Sequence, residues 1–218
     1  MLSRLGLEHI ERRLPIWLWA TVAVLVAAHI VAMIIHFRVA ELSCHVRELF
    51  DLEENESFAG LFTTLILIFA GLSVLYHARQ LREERLFIRF LWRLLGIGFC
   101  LLAIEKFIAL HRKFGALVDV SWPAVAVGAA LIVAIAYIPF LARLPAKTRI
   151  LFLVAGAIYV IGSIGIDFST EWFPESGAHD ACGDPIVTLG YRLTAAIEAG
   201  LEMSGVVLFI QAMLKLKT

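Results

Sequence analysis

Charged residues are scarce in this chain of 218 amino acids, where Asp, Glu, Lys and Arg together make up 17%. A soluble domain carries about 25% charged residues, so the composition argues against a soluble globular protein. Basic and acidic residues balance at 19 each. The chain therefore lacks the basic excess that typifies nucleic-acid binding. The three cysteines are too few for a disulfide-rich scaffold and form no CxxC pair.

The common catalytic signatures are also absent. The sequence contains no HExxH zinc motif, no GxSxG nucleophile elbow, no P-loop and no GxGxxG dinucleotide motif. It also lacks the Glu-x-x-His pair that is typical of di-iron helical bundles. Whether the protein is an enzyme therefore stays open.

What the sequence does contain is a series of long apolar runs. Hydrophobic residues make up 61% of the chain, and a helix needs about 20 of them in succession to cross a bilayer. We predict an all-α fold, a polytopic bundle of six spans in one transmembrane domain over residues 1–218. The first run is too long for a signal peptide, so we expect it to be retained. The predicted spans cover about 16–36, 58–76, 87–110, 123–142, 149–167 and 187–213.

Lysine and arginine residues in the connections predict the orientation of the bundle, because they favour the cytoplasmic side. The N-terminal tail, the 77–86 linker and the 143–149 linker each contain three of them, and the C-terminal tail contains two. The 37–57 loop and the loop after span 3 contain two each, and the 168–186 loop contains none. Both termini are therefore predicted to be cytoplasmic.

The most informative charges lie within the predicted spans. Glu198 and Glu202 are four residues apart in the last span, so they share one helical face near its middle. The predicted topology puts Glu105 and His111 of span 3, and Asp167 at the end of span 5, in the outer half of the bundle. Charge at such depth is costly and usually functional. These five residues predict a polar site that opens to the outer side.

Several interpretations of this site stay open. Carboxylate and imidazole groups suit Zn, Mn or Fe, so our first hypothesis is a membrane protein that binds a divalent metal ion or another cation there. Alternatively, Lys106, Arg192 or His111 pairs with the carboxylates and only fixes helix packing, as in a non-catalytic subunit or assembly factor of a larger membrane complex. A proton or cation relay in a small transporter, or lipid or small-molecule binding, is a further alternative. The expected partners are the lipid bilayer and other membrane subunits or a second copy of the chain.

Two cysteines lie in loops predicted to be outside. In an oxidising compartment Cys44 and Cys182 form a disulfide if they are close in space. The alternatives are free thiols, or a metal pair with the adjacent His45 and His179. A single histidine inside the first span, His29, is more typical of a hydrogen bond between helices than of a metal ligand.

Three motifs stand out along the chain: Phe50-Asp51-Leu52-Glu53-Glu54 before span 2, Glu105 with His111 in span 3, and Glu198-x3-Glu202-Met203 in span 6. They resemble motifs of an uncharacterised family of bacterial multipass inner-membrane proteins. The resemblance covers most of the chain and implies a six-span bundle in the inner membrane, with no established activity. Two positions depart from the family pattern, because Lys106 and Arg112 stand where acidic residues are expected. Both cations compete for the carboxylates of the predicted site.

Overall fold

The structure, a computed structural model, describes residues 2–81, 86–108, 122–165, 179–180, 182 and 186–216. Within these ranges the chain forms helices and no strand. Only helices and closed barrels satisfy the backbone polar groups of a chain in lipid, and the long apolar runs select the first. The helices are α1 (Leu2–Arg38), α2 (Cys44–Phe50), α3 (Phe58–Gln80), α4 (Leu86–Ile108), α5 (Trp122–Leu141), α6 (Ala146–Val160), a π-helical turn (Ile161–Gly165) and α7 (Leu189–Leu216).

Among the described residues, five segments are long and apolar enough to cross a membrane: one each in α1, α3, α4 and α7, and one formed by α6 with the π-helical turn. The apolar part of α5 is shorter, at Val127–Leu141. Large apolar side chains on these helices face outward, among them Leu65 and Leu101, as expected for surfaces in contact with lipid. The described helices are consistent with a helical membrane bundle.

Helix α7 is the centre of the bundle and packs against α1, α3 and α6. Small residues allow this close contact. A Cβ atom added to Gly205 would lie 2.8 Å from the carbonyl oxygen of Ala155 and 2.9 Å from Cβ of Tyr159. The α6–α7 contact therefore depends on a glycine on α7 as well as on the small residues that the sequence shows in span 5.

Aromatic rings join four helices near one end of the bundle. The Trp92 ring on α4 contacts Phe140 of α5 and Phe152 of α6, with centroids 4.8 Å and 6.2 Å apart. Phe152 in turn lies 4.6 Å from the ring of Phe209 on α7. Aromatic pairs of this kind add about 0.5–1.5 kcal/mol each beyond area burial. These contacts connect α4, α5, α6 and α7 in a defined geometry, which apolar packing alone does not impose.

Most helix boundaries lie close to the predicted ones, with informative differences. Helix α3 continues past the apolar run, through the polar residues up to Gln80. Helix α5 begins at Trp122, immediately before Pro123, as a proline in the first turn favours. Helix α5 includes Pro139 and continues to Leu141, so this proline does not end the helix.

The two ends of the bundle differ in character. Cys44, Arg47 and Arg192 lie at the end where α2 packs and α7 begins, which we call the disulfide end. At the opposite end α3, α5 and α7 finish and α4 and α6 begin. We call it the basic end because basic side chains of the described residues lie in or beside these helix termini, among them Arg79, Arg89, Arg143, Lys147, Arg149 and Lys215.

Candidate functional site

A disulfide bond joins α2 to the segment before α7. The Cα atom of Cys44 lies 5.6 Å from that of Cys182. Beside the bond, Nη1 of Arg47 donates a hydrogen bond to Oδ2 of Asp180 at 2.5 Å, and Arg47 is buried. Of the alternatives that the sequence left open for the cysteines, the structure thus has the disulfide. Neither sulfur is then available as a thiolate ligand for a metal ion.

Arg192, near the start of α7, holds a buried cluster of charges at the disulfide end. Its Nη1 donates to Oδ2 of Asp51 at 2.5 Å and to Oε2 of Glu53 at 2.6 Å. Arg192 is 8% exposed and Asp51 is 3% exposed. Two carboxylates of the α2–α3 loop therefore share one guanidinium of α7. Removing the guanidinium leaves both carboxylates without their cation, which is costly for buried charges.

His29 connects α1 to the same cluster and is fully buried. Its Nε2 lies 3.1 Å from the carbonyl oxygen of Arg192, so this nitrogen carries a proton and donates it. Its Nδ1 lies 3.2 Å from the backbone N of Leu52 and 3.0 Å from the carbonyl oxygen of Phe50. The backbone N–H of Leu52 donates to Nδ1. These contacts tie α1 to α7 and to the α2–α3 loop, in line with the helix-linking role that the sequence indicated.

The surroundings of Glu53 shift the pKa of its carboxyl group. Burial raises the pKa of its carboxyl group above the usual value, because a charged form is poorly solvated there. Arg192 opposes the increase and the neighbouring Asp51 adds to it. Glu53 therefore holds its proton more tightly in the folded protein than in an unfolded chain.

A second polar site lies deeper along α7. Nζ of Lys106, on α4, donates to Oε2 of Glu202, on α7, at 2.8 Å. The Glu202 side chain is 9% exposed and the Lys106 side chain 25%. Ten residues separate Glu202 from Arg192, a rise of about 15 Å along the helix. We refer to Lys106 and Glu202 as the buried pair.

Other polar groups surround the buried pair. Lys106 interacts electrostatically with Glu105 on its own helix and with Glu198 as well as Glu202 on α7. The phenol of Tyr159, on α6, lies within electrostatic range of Glu202 and Glu105. Three helices thus contribute to one polar site, in which three carboxylates act on a single ammonium group.

The backbone beside this site departs from α-helical geometry. Residues Ile161–Gly165, at the end of α6, form a π-helical turn, a feature that often marks functional sites. The turn packs directly on the Glu198–Glu202 segment. A Cβ atom on Gly162 would lie 2.9 Å from Cβ of Leu201 and 3.0 Å from the carbonyl oxygen of Glu198. Glycine at this position lets the turn approach α7 closely enough to enclose the carboxylates.

Three of the five predicted site residues, Glu105, Glu198 and Glu202, come together around Lys106. The other two, His111 and Asp167, lie outside the described residues. Within the part of the chain that the structure describes, no three His, Cys, Asp or Glu side chains are arranged to hold a metal ion. The described geometry is thus an ion pair with further carboxylates nearby.

Sequence reasoning placed Arg192 among the partners for the carboxylates in the middle of α7, and the structure corrects this. Its partners are Asp51 and Glu53 at the disulfide end. The helical period offered a warning, because six residues separate Arg192 from Glu198 and place them about 120° apart around α7. Tyr159 was not recognised as a site residue. A single tyrosine in a span carries no spacing signal that links it to a carboxylate on another helix.

Comparison with known proteins places the chain in a family without an assigned activity. Residues 17–216 match the family described as Domain of unknown function (DUF8692), so the chain belongs to that family. This confirms that it is a member of an uncharacterised family. No curated protein matches the chain. No solved structure matches it either.

Proposed function

We propose that this member of the family is an integral membrane protein that binds a cation within the bundle, with Glu202 as the central ligand. The observation that carries the proposal is the hydrogen-bonded ion pair of Lys106 and Glu202 between α4 and α7, with Glu105 and Glu198 within electrostatic range of the same ammonium. Carboxylates at membrane depth are costly and usually mark ion or proton sites. The ammonium marks the place that a bound cation takes.

Lys106 acts in this proposal as a tethered cation. Its side chain is flexible and its ammonium is a compact point charge, and it is more exposed than its partner. An incoming proton or metal ion displaces it from Glu202. Since an uncompensated buried carboxylate is strongly unfavourable, the ammonium leaves Glu202 only as another cation arrives. Binding is thereby coupled to a movement between α4 and α7.

A divalent metal ion, Zn, Mn or Fe, is one candidate for the incoming cation. The carboxylate of Glu202 provides an oxygen ligand, and Glu105, Glu198, His111 and Asp167 are proposed to complete the set after the Lys106 ammonium has left. A proton needs only Glu202. We propose that the site opens to the periplasmic side of a bacterial inner membrane with both termini cytoplasmic. The disulfide, typical of an oxidising compartment, and the basic residues of the opposite end support this orientation.

The test compares the wild type with Lys106→Met and Glu202→Gln, all purified without chelator. Metal content and thermal stability are measured with and without added divalent ions and across pH. Lys106→Met should lose about 1–3 kcal/mol, as expected for an unsatisfied buried group. Added cations or acid should restore its stability, because they compensate Glu202. Glu202→Gln should show neither bound metal nor recovery.

Glu48→Gln is the matched control, since it removes an exposed carboxylate on α2 and should behave as the wild type. The proposal fails if Lys106→Met is destabilised yet is rescued by neither divalent ions nor acid. That outcome would favour the second candidate function, a non-catalytic subunit or assembly factor of a larger membrane complex. The pairing of Arg47, Arg192 and Lys106 with carboxylates favours this alternative, because such pairs also stabilise helix packing.

A further inference from the structure

A cavity of about 160 Å³ opens at the basic end of the bundle, far from the buried pair. Four helix termini enclose it. His77 lies in the last turn of α3, Ile88 and Trp92 in the first two turns of α4, Phe140 at the end of α5, and Leu216 at the end of α7. Arg143, directly after α5, also lines it. The cavity therefore lies at the level where helices leave the apolar part of a membrane.

The lining divides into an apolar floor and a polar rim. Trp92 is 3% exposed and Phe140 1%, with their rings in edge-to-face contact. Ile88 and Leu216 add aliphatic walls. Arg143 is exposed, so its guanidinium stands at the opening, whereas His77 is half-buried and its ring packs against Trp92 at 4.8 Å. A ligand that fits carries an anionic group joined to an apolar part.

We propose that this cavity binds an anionic phospholipid of the surrounding leaflet, with its phosphate on Arg143 and the start of an acyl chain against Trp92 and Phe140. An arginine fork matches the geometry of phosphate oxygens and pairs with them bidentately. Basic pockets between helices at a membrane surface bind such headgroups.

The charge around the cavity favours a lipid with net negative charge over a zwitterionic one. Arg79 in the last turn of α3 and Lys215 in the last turn of α7 lie at the same end of the bundle, so the cavity opens in a basic region. A positive charge near the membrane surface contributes about 1 kcal/mol of attraction to anionic lipid. A choline headgroup would bring its own cation into this region and lose that attraction.

The test measures lipid binding to the purified, full-length protein by native mass spectrometry. The probes are phosphatidylglycerol and phosphatidylcholine with identical acyl chains, and inorganic phosphate as a competitor. Phosphatidylglycerol should bind about fivefold more tightly than phosphatidylcholine, the ratio that one such charge contributes. Arg143→Gln should remove this preference, and Arg143→Lys should retain part of it. Inorganic phosphate should not displace the lipid, because it lacks the apolar part that fills the floor.

Arg149→Gln is the matched control. It removes an arginine from the same end of the bundle, on α6, that does not line the cavity, and it should keep the preference of the wild type. An equal loss in both variants would overturn the proposal in favour of diffuse surface charge. Displacement by inorganic phosphate would overturn it in favour of a free-anion site. Equal binding of both lipids to the wild type would show that headgroup charge is not recognised.

Discussion

The two polar regions of this protein are built in different ways. At the disulfide end a covalent bond, the Arg47–Asp180 pair and the Arg192 cluster act together with His29. They connect α1, α2, the α2–α3 loop and α7. The buried pair joins Lys106 of α4 to Glu202 of α7 by a hydrogen bond, with Glu105 and Glu198 within electrostatic range of the ammonium. One region is held by a covalent bond and two arginine ion pairs, and the other by a lysine–carboxylate pair.

The two regions also differ in the type of basic residue that they contain. Arginine holds the cluster, where its planar guanidinium can bind two carboxylates at once and remain charged. Lysine forms the buried pair, where its flexible stem lets the ammonium leave and return. The difference teaches that burial alone does not identify an exchange site. Arg192 and Glu202 are similarly buried. Glu202 differs in its partner, because the ammonium of Lys106 can move away easily.

Replacement of Arg192 should have the largest effect and tests this comparison most directly. Arg192→Met leaves Asp51 and Glu53 buried without their cation, so we expect a loss of about 3–5 kcal/mol. Thermal unfolding in detergent measures the loss. Arg38→Met, which removes an exposed arginine at the end of α1, is the control and should change stability by less than about 0.5 kcal/mol. If Arg192→Met costs no more than Lys106→Met, the two regions are equivalent in strength and the comparison breaks.

Loss of the disulfide should have the next largest effect. The Cys44–Cys182 bond closes a long loop, with a sequence separation of 138 residues, and a bond of this kind typically contributes about 2–4 kcal/mol. Reductant should therefore lower the thermal midpoint of the wild type. It should leave the Cys44→Ser/Cys182→Ser double variant unchanged, since that variant has only Cys100 left.

Cation binding at the buried pair after reduction tests whether the two regions are independent. Reduction should leave cation binding at Glu202 intact, because the bond lies at the far end of α7. If reductant abolishes cation binding as strongly as Glu202→Gln does, the disulfide end is part of the binding site and the two regions are one. Thermal midpoints with and without added cation, before and after reduction, measure this.

Much of the fold could be predicted from the sequence, because each helix leaves a local signal. An apolar run of sufficient length must form a helix in lipid, so the predicted span at 123–142 and the observed α5, Trp122–Leu141, nearly coincide. Helix ends are harder to predict where polar residues continue a helix beyond its apolar run, as His77–Gln80 do in α3. The departure from regular helix at Ile161–Gly165 has no such local signal.

The site was harder to predict than the fold, because partners on different helices are set by how the helices are rotated and offset. Lys106 and Glu202 are 96 residues apart in the chain. The sequence indicated that Glu202 faces the interior, but not which cation reaches it. For the same reason, the sequence did not show that Arg192 pairs with Asp51 and Glu53 rather than with the carboxylates in the middle of α7. The disulfide was easier, since only two of the three cysteines lie in predicted loops.

The smallest predicted effect concerns the pH dependence of the disulfide end. Because burial raises the pKa of Glu53 above its ordinary value of 4.5, its contribution to stability is complete below that value and is lost as pH rises through the raised pKa. The thermal midpoint of the wild type relative to Glu53→Gln should therefore fall as pH rises above 4.5. Glu48→Gln, at an exposed position, should show no such trend. A relative midpoint that rises with pH would mean that attraction to Arg192 outweighs burial, and that the cluster strengthens when Glu53 ionises.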